Sequence, residues 1–321
     1  KQGAQFMALL AREYTERYKL SKVILADPFL GTARTLTAAV KELGIEKIKK
    51  VWGIEPLPLP ALIAYAALLQ APGGRDDLIT IIVGDAFKEI PRELTLFGDS
   101  KIFKADIILT NPPFTRWKYL KKEYREYLHK VMDAIGYKKY IIRREISLQA
   151  LSMFLSDYVL NDGGLIASVL PASTFYTLYG KGYKALLKEK YDLLAMIEYS
   201  SRSSFSEDSG FKEVILAAIK RSHQRMPTVF ATLDNDLEKL ANMIINRNRM
   251  YSNMRNNYNL WDIHDLPRFL DINWLSLIGR NELRDSIVTI FTKGLENKTL
   301  GYWEDILSKA SIIRGVEMYG P

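Results

Sequence analysis

The 321-residue chain has no cysteine, which excludes a disulfide framework and any thiolate-ligated metal. Its three histidines, His129, His223 and His264, lie far apart and show no metal-ligand spacing, so no metal is expected. No apolar run reaches the roughly 18 residues needed to span a bilayer. No secretory leader is visible. Together these absences lead to the expectation of a soluble, cytoplasmic protein without a membrane partner. Acidic residues are in deficit: 37 Asp and Glu stand against 45 Lys and Arg, a net charge of +8 that suits a polyanionic partner. Internal repeats and low-complexity tracts are also lacking. What remains is 48% apolar, enough for one large domain and a smaller one.

Short β-type runs alternate with helical patterns. Val23-Ile24-Leu25-Ala26 reads as a strand ending in Asp27-Pro28-Phe29-Leu30-Gly31-Thr32, and a helical pattern follows from Arg34 to about Leu43. Strand, glycine-containing turn and helix make the opening unit of a nucleotide-binding sheet. Gly31 lets a ligand approach the backbone, and Asp27 suits a contact made directly or through water. A second strand, Val51 to Ile54, ends in Glu55, where an acid suits ribose hydroxyls. A third, Leu78 to Val83, leads to Gly84-Asp85-Ala86-Phe87, and Asp85 suits an adenine amino group. A lone acid at a strand end is more often a helix cap or a solvated loop residue. Three at successive strand ends are harder to explain that way.

A fourth strand, Ala105 to Thr110, runs into Asn111-Pro112-Pro113-Phe114. Taken alone, Asn-Pro is common turn punctuation. Placed at the carboxyl end of an α/β sheet, it lies where such sheets bind ligands. The ordered set resembles the S-adenosylmethionine-dependent N6-adenine DNA methyltransferases of restriction-modification systems, in the variant whose cofactor motifs precede the catalytic motif. Asp27-Pro-Phe-Leu-Gly-Thr is similar to the family's Asp-Pro-Phe-x-Gly-x-Gly motif, with Ala33 in place of its second glycine. The resemblance implies a Rossmann-like seven-stranded α/β sheet, mostly parallel with the last strand antiparallel. It also implies S-adenosylmethionine as cofactor, held by Asp27, Phe29, Gly31, Thr32, Glu55, Asp85, Ala86 and Asn111.

The amine of adenine is a poor nucleophile because its lone pair is delocalised into the ring. Two acceptors, the Asn111 side-chain oxygen and the Pro112 carbonyl, suit the amine's two hydrogens. Pro112 and Pro113 restrict the backbone and preorganise them. Phe114 offers a flat face to a flipped-out base.

The match continues through an amphipathic helix from Ile146 to Leu160, a stop at Asn161 to Gly164 and a fifth strand from Leu165 to Pro171. Ala195 to Tyr199 is the expected sixth strand and Val214 to Lys220 the seventh. By resemblance Phe205 packs against the flipped base; the plainer alternative is a hydrophobic plug under a long loop.

Lys118, Lys121, Lys122, Arg125 and Lys130 follow the Asn-Pro-Pro turn, with Lys138, Lys139, Arg143 and Arg144 soon after. Trp117, Tyr119, Tyr124, Tyr127, Tyr137 and Tyr140 are interleaved. Basic residues contact phosphates and aromatics stack on bases, so double-stranded DNA is the expected partner. The alternative is a solvated helix whose Lys and Glu pair along one face. RNA base methylation and a non-catalytic DNA-binding subunit remain open beside the DNA reading.

Residues 1–221 are expected to form the methyltransferase domain and 222–310 a mainly helical extension, with helices over Leu233 to Tyr251 and Trp274 to Lys293 and a polar connector over Asn253 to Asn259. Ile312-Ile313-Arg314-Gly315 resembles the entry to a target-recognition domain, placed at residues 311–321. That likeness implies a specificity or nuclease component in a further domain or subunit.

Overall fold

The computed structural model describes residues 2–71, 75–95, 102–115, 117–142, 146–175, 180–198, 212–221, 228–233, 236–247 and 259–261. Its strands are β1 (Val23–Asp27), β2 (Ile48–Glu55), β3 (Ile79–Val83), β4 (Ala105–Thr110), β5 (Leu160–Pro171), β6 (Tyr191–Glu198), β7 (Glu213–Lys220), β8 (Thr228–Thr232) and β9 (Asn259–Trp261). They form one sheet in the order β3-β2-β1-β4-β5-β7-β6-β8-β9. The first five strands in that order pair in parallel, and β7 lies antiparallel between β5 and β6. The expected seven-stranded arrangement is therefore present, and two more strands extend it.

The central strands are buried on both faces, which explains their near-continuous apolar sequence. Alternate side chains feed two cores. On one face Ala26, Trp52, Ile108 and Ile166 pack against α4 (Ala86–Thr95), α5 (Lys122–Ala134), α6 (Leu148–Val159) and α7 (Lys181–Lys190) through Phe87, Leu128, Phe154 and Leu186. On the other, Leu25, Val51, Ile107 and Leu165 pack against α1 (Gln2–Arg17), α2 (Arg34–Leu43), α3 (Pro58–Leu69) and α8 (Leu237–Ile245). The chain winds outward from β1 to β3 and then returns to β4 on the other side of β1. The crevice between the carboxyl ends of β1 and β4 is thus the topological switch point, where open α/β sheets take ligands.

One buried ionic hub closes the first of these layers. Asp157 of α6 accepts from the Tyr137 and Tyr191 hydroxyls and from Lys190 Nζ at 2.9 Å, and Lys220 Nζ lies 3.2 Å away. Burial works to raise the Asp157 carboxyl, but Lys220 and the donated hydrogen bonds outweigh it and hold it below its ordinary value.

Several boundaries differ from the sequence expectation. Strand β5 begins at Leu160, directly after α6, rather than at Leu165. Its pairing with β4 jumps from Ala105↔Leu160 to Ile107↔Leu165. Asn161 to Gly164 are therefore an outward bulge in one strand, with Gly163 at φ 81°. The Asn161 side-chain amide ties the bulge to Asp106 at 2.8 Å.

The sheet also continues past residue 221. Strand β8 pairs parallel with β6 and antiparallel with β9. Thr228 to Thr232 is a β-branched and apolar run between Pro227 and Asp234-Asn235-Asp236, a strand signature inside the segment expected to be mainly helical. The helix expected from Leu233 to Tyr251 is shorter, α8, capped by the Asp236 carboxylate accepting from Lys239 N at 3.0 Å. The guanidinium of Arg247 just beyond it meets both oxygens of buried Asp192 at 2.6 Å. The helix expected at Trp274 to Lys293 and the strand expected near Ile312 lie outside the described residues, as does most of the polar connector. Among the described residues no helix is long and apolar enough to cross a membrane.

Candidate active site

The loop after β1 is shaped by two left-handed residues, Gly31 at φ 55° and Ala33 at φ 58°. Leu30 N donates to Ile54 O at 2.9 Å, which holds the loop against β2. Gly53 makes that approach possible, because a Cβ there would meet the Leu30 side chain at 2.6 Å. Over Gly31 no heavy atom lies within 4 Å of where a Cβ would stand, so the loop presents open backbone.

Asp27 closes β1 and is 2% exposed. One oxygen accepts Phe29 N at 3.0 Å and the other the Thr35 hydroxyl at 3.2 Å. Burial pushes its carboxyl up to about 6, against these hydrogen bonds, and the nearby Glu55 charge adds to the rise. Glu55 is also buried. Its carboxylate accepts Gly31 N at 3.1 Å and Leu57 N at 3.0 Å, joining the tip of β2 to the glycine loop. Gly84 N donates to Glu55 O at 3.0 Å and brings the end of β3 alongside.

Asp85 begins α4. It accepts Phe87 N on one oxygen at 3.0 Å and the Tyr124 hydroxyl on the other at 2.8 Å. Ala86 is buried beneath it. Phe87 packs on Phe29 with ring centroids 5.9 Å apart, so the loops after β1 and β3 share an apolar contact. Thr32 is exposed at the outer side of the loop. The three acids and the glycine loop therefore stand together at the ends of β1, β2 and β3.

Asn111 leaves β4 next to this group and is exposed, whereas Pro112 is buried. Phe114 is half-buried, packed in part against the core on the α1 and α2 face. Beyond it Trp117 stands edge-on to His129 at 5.3 Å. Lys118, Lys121 and Lys122 are exposed and Arg125 is half-buried.

Two of the interleaved aromatics have another role than stacking on bases. Tyr137 and Tyr140 are buried and pack on Phe154 at 5.8 and 5.7 Å, as core residues. Lys138 pairs with Asp133 at 2.8 Å and Lys139 with Glu189 at 2.5 Å. Among the described residues, the exposed cations that follow the turn most closely are Lys118, Lys121 and Lys122. Phe205, Arg143 and Arg144 lie outside the described residues.

Sequence reading missed Thr35 as a partner of Asp27 and Tyr124 as a partner of Asp85. The i, i+3 pairing of Tyr124 with Tyr127 on an amphipathic helix was the available signal for the second.

Residues 82–205 match the family model described as Eco57I restriction-modification methylase. No curated protein sequence matches the chain. Solved structures do. One is described as a class I S-adenosylmethionine-dependent methyltransferase from Listeria monocytogenes, with 16% identity, TM-score 0.57 and coverage of 77% of this chain and 70% of that one. A type I restriction-modification methyltransferase subunit from Streptococcus thermophilus has 16% identity and TM-score 0.59, covering 76% of this chain and 52% of that one. The type IIG restriction endonuclease BpuSI has 16% identity and TM-score 0.63, covering 89% and 33%. At these identities the likeness is one of fold. The chain spans about half of the Streptococcus subunit and a third of BpuSI. The family match covers the segment with Asp85 and the Asn-Pro-Pro-Phe turn and bears out the resemblance to restriction-modification methyltransferases.

Proposed function

We propose that the chain transfers the methyl group of S-adenosylmethionine to N6 of an adenine flipped out of double-stranded DNA, within a restriction-modification or related system. The observation that carries this reading is the position of Asn111. It follows the last residue of β4, across the switch-point crevice from the buried Asp27 carboxyl at the end of β1.

The residues present fit the cofactor. Gly31 offers open backbone, and an acidic pair, Asp27 and Glu55, suits the cofactor's positive charge and its ribose hydroxyls. Asp85, at the end of β3, suits the adenine amine. When bound, the cofactor supplies an electrophilic methyl group. The protein's own part is positioning and polarisation. The Asn111 oxygen and the Pro112 carbonyl accept the two hydrogens of the target amine and concentrate its lone pair on nitrogen. Phe114, and by resemblance Phe205, hold the base plane. The amine whose lone pair these two acceptors concentrate would take up the methyl group that the bound cofactor supplies, and would give up a proton to solvent. Much of the rate then comes from alignment in a water-poor pocket. Lys118, Lys121, Lys122 and Arg125 suit the DNA phosphates.

Asn111→Ala tests the reading. It is expected to reduce turnover by at least about a hundredfold, in the range seen for lost transition-state hydrogen bonds. Calorimetry is expected to show cofactor affinity within a few-fold of the unmodified protein. Retained turnover would remove Asn111 from the chemistry.

A further inference from the structure

Helix α5 is fastened to the third cofactor motif by two hydroxyls one helical turn apart. Tyr124 donates to the Asp85 carboxylate at 2.8 Å, and Tyr127 donates to Phe87 O at 3.1 Å. The two rings stack with centroids 6.2 Å apart, and both residues are half-buried. Burial, followed by the Asp85 charge, pushes the Tyr124 phenol up, so it stays a neutral donor. The Asp85 carboxylate is held at both ends, by Phe87 N on one oxygen and by Tyr124 on the other. Each oxygen keeps lone-pair capacity for a ligand.

We infer that Tyr124 is a positioning residue, whose hydroxyl orients the Asp85 carboxylate to accept the exocyclic amine of the cofactor's adenine. The inference rests on Asp85 as the adenine acceptor in the function proposed above. It separates Tyr124 from the aromatics that surround the basic segment. Phe87 N alone fixes one oxygen and leaves the carboxylate able to turn about its own axis. The hydroxyl removes that freedom, so the hydrogen bond to the amine forms without further ordering. Together with Tyr127 it also ties the basic segment to the third cofactor motif.

Calorimetry with S-adenosylhomocysteine and its 6-oxo counterpart S-inosylhomocysteine tests this. The second ligand lacks the amine but keeps the ribose and amino-acid parts. The unmodified protein should prefer the adenosyl ligand by about tenfold or more, the size of a hydrogen bond to a charged group. Tyr124→Phe keeps the stacked ring. It should cut that preference by at least about threefold through weaker adenosyl binding, with inosyl affinity unchanged within about twofold. Tyr127→Phe removes the neighbouring anchor without touching Asp85, and the preference should survive it.

A preference lost in Asp85→Ala but intact in Tyr124→Phe would overturn the role of Tyr124 alone. Equal losses in both tyrosine variants would reduce it to an anchor of the loop and overturn it too. No preference in the unmodified protein, or one that persists in Asp85→Ala, would overturn the assignment of Asp85 and this inference with it.

Discussion

The Glu55 carboxylate at the tip of β2 accepts the backbone N–H of Gly31 in the loop after β1, at 3.1 Å. A residue expected to hold the ribose thus also shapes the loop proposed to hold the rest of the cofactor. Glu55→Ala leaves the Gly31 and Leu57 amides without this acceptor. Loss of a buried acceptor costs about 1–3 kcal/mol. We expect a lower thermal midpoint together with cofactor binding weakened tenfold or more. Unchanged calorimetric affinity would show that Glu55 does neither.

Ala33 stands where the resembling family has glycine, and its φ of 58° is left-handed. An L-residue there costs roughly 1–2 kcal/mol. Replacement by glycine relieves that strain but adds chain entropy worth about 0.5–1 kcal/mol. It also removes a fully buried methyl worth about 0.8 kcal/mol. The terms nearly cancel, which accounts for alanine being tolerated. Ala33→Gly should therefore shift stability by less than about 1 kcal/mol. Ala33→Val adds a β-branch to the same backbone and should destabilise by roughly 2 kcal/mol or more. Urea unfolding of the two variants checks the pair, and equal midpoints would contradict the strain.

The folded Asp27 carboxyl lies at about 6, against an ordinary value of 3.8. The folded protein holds this proton more tightly than the unfolded chain. Its contribution to stability is therefore greatest below about 4 and is lost as pH rises through 6. Ionised and buried, Asp27 costs up to ~3 kcal/mol at neutral pH. A cationic cofactor favours the ionised form, so its affinity should fall as pH drops below 6. Asp27→Asn should raise the melting temperature at pH 7.5 while weakening cofactor binding and flattening its pH dependence. A lower melting temperature at pH 7.5 would contradict the cost assigned to the charge.

The buried Asp157 carboxylate pairs with both Lys190 and Lys220. Removing one partner of a buried ion pair typically costs 3–5 kcal/mol, because the remaining charge is uncompensated. Asp157→Ala is expected to lose about that much in denaturant unfolding. A loss below about 1 kcal/mol would show that the hub is well solvated.

The first seven strands were legible as apolar runs, most of them ended by an acid, a glycine, a proline or the Asn-Pro turn, and the covered central strands carry no polar alternation to confuse them. Arg34 to Leu43 matched α2 to the residue. The Leu160 boundary was not legible. Asn161 to Gly164 has the composition of a turn, and only pairing with β4 turns it into a bulge. Strand β8 carries a strand signature, a β-branched run between a proline and an Asp-Asn-Asp cluster, but lies in the segment expected to be mainly helical. Within the site the strand-end acids and Asn111 could be read from order alone. The links to Thr35 and Tyr124 depend on helices folding back over the sheet, and the i, i+3 spacing of Tyr124 and Tyr127 marks a shared helix face without naming the partner it meets. Tyr137 and Tyr140 were misread for the same reason: tyrosine next to lysine looks alike at a nucleic-acid surface and over a buried aspartate.

The most direct test of the central claim is transfer from labelled S-adenosylmethionine to DNA and RNA supplied together, with the modified nucleoside identified by mass spectrometry. The account predicts N6-methyladenine in DNA, absent with Asn111→Ala. Label in RNA alone, or on any other base, would contradict it.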